Sequence, residues 1–72
     1  MNRVNDEIRK VLVSLFGFLV EIQKVKGTKV YRVVVTIPAN VSWGIVKEVS
    51  YTVIDRLAGS VLGLRYVVNV VG

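Results

Sequence analysis

Apolar residues recur at Val4, Ile8, Val11, Leu12 and Leu15, the i, i+3, i+4, i+7 spacing of one helical face. Asn5 is placed to cap this helix, Asp6 and Glu7 suit the positive end of its dipole, and Gly17 is a natural stop. From Phe18 the period falls to two, with Phe18, Val20 and Ile22 alternating with Glu21 and Gln23. After Lys26-Gly27-Thr28 a second run of strand-forming residues extends from Lys29 to Ile37, which predicts a hairpin with a short basic tip. Pro38 breaks the strand, and Asn40 or Ser42 can cap a second helix. Ile45, Val49, Val53 and Leu57 recur every four residues down that helix, which ends at Gly59, and Leu64 to Val71 supplies the last strand.

The order α-β-β-α-β predicts an α+β fold, a two-layer sandwich in which two helices cover one face of a three-stranded mixed sheet, with residues 1–72 forming a single domain. A right-handed crossover through the second helix makes the last two strands parallel. Each helix has one apolar stripe, so both must lie on the same side. The phase that turns Val20, Ile22, Tyr31, Val33, Val35, Tyr66 and Val68 toward the helices leaves Leu19, Glu21, Gln23, Arg32, Thr36, Arg65 and Asn69 on the other face, together with Val25, Val30, Val34, Val67 and Val71. These five valines are the candidate partner interface, because a contiguous apolar patch on a small domain marks a docking surface for a second copy or another protein. The alternative is that valine is there because it favours strands, and stays wet.

Composition narrows the chemistry. Of 72 residues, 53% are apolar, enough for a packed core, and none is His or Cys. Disulfides, imidazole or thiolate metal sites, Ser-His-Asp triads and Cys nucleophiles are thereby excluded. The carboxylates Asp6, Glu7, Glu21, Glu48 and Asp55 do not form the pair that a two-carboxylate mechanism needs, and Ser14, Ser42, Ser50 and Ser60 have no imidazole base. No catalytic residue, cofactor or metal is expected. Gly59 to Gly63 resembles a phosphate loop only in its glycine spacing, since it follows a helix where such loops precede one, and it is expected to be a turn. The longest uncharged run, Val33 to Val46, is 14 residues and includes Pro38, against the roughly 20 needed to span a bilayer. The N-terminal region carries Asp6, Glu7, Arg9 and Lys10 before any apolar segment, so no secretory signal and no membrane partner are expected, and the location expected is the cytoplasm.

Ten Lys and Arg against five Asp and Glu give +5, which favours polyanionic partners over acidic-patch ones. Lys24, Lys26, Lys29 and Arg32 sit on or beside the hairpin tip, where long cationic side chains can reach successive phosphates, and they are the candidate nucleic-acid contacts. Tyr31, Tyr51, Tyr66 and Trp43 do not follow the pattern of a base-stacking platform. Trp43, in the first turn of the second helix, is expected to cover the core edge, with anchoring of a partner as the alternative.

The segments Gly17-Phe18-Leu19-Val20-Glu21-Ile22, Val30-Tyr31-Arg32-Val33-Val34-Val35, Pro38, Val41-Ser42 and Lys47-Glu48-Val49-Ser50 keep a joint spacing through roughly residues 5 to 58. In that spacing and in element order the chain resembles the N-terminal domain of the ribosome maturation factor RimP family. It departs from that family at Thr36, where an acidic residue is usual, at Val46, where a small residue or Cys is usual, and at Asn69-Val70-Val71-Gly72, which replaces a Ser-Ser-Pro-Gly exit. The resemblance implies a non-enzymatic cytoplasmic binding module that contacts ribosomal RNA or ribosomal protein during small-subunit maturation. The element order is also similar to that of the cytoplasmic dimerisation domain of cation-efflux transporters and of the alkaline-shock protein family, although the transporter domain's His ligands are missing. Those likenesses imply that the Val-rich sheet face is a self-association surface, and the alternative function expected is a structural homodimer through that face with no nucleic-acid role.

Overall fold

Gly17 adopts a φ of 68°, a left-handed conformation open to glycine without strain, and its N–H donates to the Val13 carbonyl at 2.7 Å. It thereby ends helix α1 (Arg3–Phe16) and turns the chain into strand β1 (Leu19–Lys24). The computed structural model describes residues 3–59 and 64–72, and in it β1 is followed by strand β2 (Val30–Thr36), helix α2 (Trp43–Ala58) and strand β3 (Arg65–Val71). The hairpin between β1 and β2 turns at Gly27, whose φ is 80°. Thr28 braces it, its hydroxyl donating to the Val25 carbonyl at 2.8 Å and accepting the Val30 N–H at 3.1 Å. Ser42 caps α2, its side chain accepting from the Ile45 N–H.

The sheet order is β1-β2-β3, with β1 antiparallel and β3 parallel to β2, as the crossover argument requires. Helix α1 packs on β1, α2 packs on β3, and the helices pack on each other, so both cover one face. The core is built from that face alone. Val20, Val33, Val35 and Val68 from the strands meet Ile8 and Leu12 of α1 and Val46 and Ile54 of α2, all buried. The expected fold class and strand phase therefore stand.

Three expectations are corrected. The buried stripe of α2 is Val46, Ser50, Ile54 and Ala58, one residue later than Ile45, Val49, Val53 and Leu57, and Ile45 is 61% exposed. A fully buried serine defines that stripe because its hydroxyl donates to the Val46 carbonyl at 2.7 Å, which removes the penalty of burying it. Asn5 lies inside α1, which begins at Arg3, and its amide oxygen accepts the hydroxyl of Tyr66 from β3. Trp43 does not cover the core, being 52% exposed beside Gly72. The turn expected after Gly59 falls on residues 60–63, outside the described residues.

The strand phase makes a direct prediction for two leucines of opposite burial. Leu12→Ala should cost about 2–5 kcal/mol in urea denaturation through the cavity it leaves. Leu19→Ala, on the uncovered face, should change stability by no more than about 0.5 kcal/mol. Comparable losses at both sites would contradict this packing.

Candidate nucleic-acid interface

The register of the strands sorts the uncovered face into rows. Nearest the hairpin tip lie Val30 and Arg65, then Gln23, Arg32 and Val67, then Glu21, Val34 and Asn69, and finally Leu19, Thr36 and Val71. The face thus grades from a basic end at the hairpin to an apolar end near the start of α2. Val30, Val67, Val34 and Val71 alternate between β2 and β3 and form a diagonal seam, spaced as next-nearest cross-strand neighbours. Val25 stands just beyond β1, tied through its N–H to the Val30 carbonyl at 2.9 Å. Val25, Val30 and Val34 are half-buried, whereas Val67 and Val71 are 40% and 39% exposed and Leu19, at the apolar end, is 62% exposed.

Lys24, Lys26, Lys29 and Arg32 are all exposed, but they do not share one face. Lys26 and Lys29 flank the Gly27-Thr28 tip. Arg32 stands on the uncovered face, while Lys24 shares a row with Tyr31 and Tyr66 on the helix side. The hairpin end therefore presents cations to both sides of the sheet. Arg65 joins them from the far end of the chain: its N–H donates to the Lys29 carbonyl at 3.2 Å, and it sits opposite Val30 in the register. Strand alternation alone assigns Arg65 to the uncovered face but does not group it with the hairpin cations. The signal that locates it there is the parallel pairing of β3 with β2.

Dividing the charged residues between layers shows how uneven the +5 is. Lys24, Lys26, Lys29, Arg32 and Arg65 lie on the strands and hairpin with only Glu21 to oppose them, a balance of +4. The helices carry Arg3, Arg9, Lys10, Lys47 and Arg56 against Asp6, Glu7, Glu48 and Asp55, a balance of +1. Glu21 is itself engaged, accepting from the Gln23 side-chain amide at 3.4 Å. A field concentrated on one layer and at one end of it draws polyanions by counterion release, with strong dependence on salt.

Under the basic end the Tyr31 and Tyr66 rings stack with centroids 5.3 Å apart. This pair, held to α1 by the Tyr66 hydroxyl, shares its row with Lys24. Burial of Tyr66 raises its phenol above the ordinary value of 10.0, and the negative charge on an ionised Tyr31 pushes in the same direction. Among the described residues, no group of three or more His, Cys, Asp and Glu side chains is gathered as metal ligands would be, and no helix is long and apolar enough to cross a membrane. The chain matches no family model, no curated protein and no solved structure.

Because the folded state prefers the neutral phenol of Tyr66, its contribution to stability is complete below pH about 10, where the unfolded chain also holds the proton, and is lost as pH rises through the higher folded value. Tyr66→Phe should cost about 1 kcal/mol at neutral pH for the lost hydrogen bond. It should also flatten the alkaline fall in the unfolding midpoint. Parallel pH profiles for the two proteins above pH 10 would contradict this assignment.

Proposed function

We propose that the protein is a non-enzymatic, cytoplasmic binding module that holds the phosphate backbone of RNA against the hairpin end of its sheet. The observation that carries this reading is the charge division, +4 on the sheet layer against +1 on the helix layer, with Arg65 brought to Lys29 by the fold. Lys26, Lys29 and Arg65 at the end, with Arg32 and Lys24 on either side, offer point charges and one guanidinium fork on each of Arg32 and Arg65. Such contacts position a backbone without reading sequence. Ribosomal RNA is the first polyanion to test, since the chain resembles the RimP N-terminal domain, and ribosomal protein is the second ligand class that the resemblance implies.

Charge reversal tests the surface. Lys26→Glu with Lys29→Glu should weaken binding to single-stranded RNA by an order of magnitude or more and lower the slope of log K against log salt by about 0.7 for each phosphate contact removed. Lys10→Glu with Arg56→Glu, on the helix layer, should leave the affinity within about twofold. Equal losses from both pairs, or none from the first, would remove the hairpin from the binding surface.

The exposure of Leu19, Val67 and Val71 favours one further reading, a homodimer closed through the uncovered face. Light scattering separates the two. A dimer mass that Val34→Lys reduces to a monomer supports self-association, and a wild type monomeric at high concentration rejects it.

A further inference from the structure

We propose that the free edge of β3 accepts an extended acidic peptide segment as a fourth strand. The edge is defined by the hydrogen bonding. Arg65 donates to the Lys29 carbonyl, and Ile37 donates to the Val71 carbonyl at 2.8 Å. Parallel pairing then alternates, so Arg65, Val67, Asn69 and Val71 turn their backbone groups toward β2, and Tyr66, Val68 and Val70 turn theirs outward. One outward donor is already satisfied by a side chain: the Val68 N–H donates to the Tyr51 hydroxyl of α2 at 3.0 Å. That hydroxyl occupies the place of a neighbouring strand's carbonyl and leaves the Val68 carbonyl and both backbone groups of Val70 facing outward.

These groups face a cavity of about 670 Å³ that wraps the edge. Trp43, Gly44 and Lys47 line it from α2, and Arg32, Val34 and Asn69 line it from the uncovered face. An added strand projects alternate side chains to those two sides. Each side offers one cation, Lys47 or Arg32, and no carboxylate lines the cavity. A Cβ built on Gly44 would meet nothing within 4 Å, so the helix end leaves room, while the half-exposed Trp43 supplies apolar area. Edge strands are ordinarily blunted by proline, bulges, charges or a covering helix; α2 covers β3 at the Val68 N–H through Tyr51, but beyond it β3 has four valines among seven residues, no proline, and Arg65 as its one charge. Charge selects the occupant. A second copy, itself carrying a net +5, would meet a molecule of the same net charge, whereas an acidic strand neutralises Lys47 and Arg32 as its backbone pairs with the Val68 carbonyl and with Val70.

The test uses the whole chain and a capped peptide of about eight residues alternating Val and Glu. Trp43 is the only tryptophan, so its emission reports on this cavity alone. The peptide should shift that emission saturably and slow amide exchange at Val70 by tenfold or more. Lys47→Glu and Arg32→Glu, both exposed substitutions, should each weaken binding about tenfold, and Lys26→Glu with Lys29→Glu should not. Methylating the peptide nitrogens that face β3 should abolish binding. Equal binding of the methylated peptide, or equal Val70 protection by a polyglutamate coil or oligouridylate, would show charge adhesion alone and overturn the proposal. So would an unresponsive Trp43, or a wild type that sediments as a dimer with Val70 already protected.

Discussion

Everything in this molecule depends on two helices having only enough apolar surface to cover one side of three strands. Val33 and Val35 are fully buried, while the residues that alternate with them are not: Arg32 is exposed and Val34 only half-covered. Because side chains alternate along a strand, burying one set commits the other to the outside. The valine seam and the outward placement of Arg32 and Arg65 are both products of that single commitment.

The second constraint is the crossover. A chain that leaves β2, forms α2 and returns parallel to β2 makes β2 the central strand and β3 an edge. The same path brings the start of β3 back to the start of β2, setting Arg65 beside Lys29 and completing the basic end. It also carries α2 over β3, where Tyr51 binds the outward N–H of Val68 and Trp43 stands near the strand's end. The basic end and the open stretch of the β3 edge are consequences of one connection, and Arg32 stands between them.

Most of the architecture was legible because it rests on period and punctuation. The switch from a 3.6 to a 2.0 repeat at Gly17, the tip at Gly27 and the break at Pro38 bound the first three elements, and the strand phase stands for all three strands. What was hidden depends on contacts between residues distant in sequence or on polar groups that satisfy themselves locally. Ser50 reads as surface until its bond to the Val46 carbonyl is seen, and that shifts the α2 stripe by one residue. Asn5 reads as a cap until its partner proves to be Tyr66, 61 residues away. Of the basic surface, Lys26 and Lys29 were visible as neighbours in sequence, whereas Arg65 needed the parallel register. Trp43 illustrates the limit of composition, since large aromatics are usually covered and this one is half-exposed.

The central claim is that the sheet has one covered and one uncovered face, and valine methyl NMR with a soluble paramagnetic agent tests it most directly. The methyls of Val34, Val67 and Val71 should broaden strongly, and those of Val33, Val35 and Val68, their neighbours along the same strands, should not. Equal broadening of the two sets, or protection of the first set in a monomer, would contradict the account.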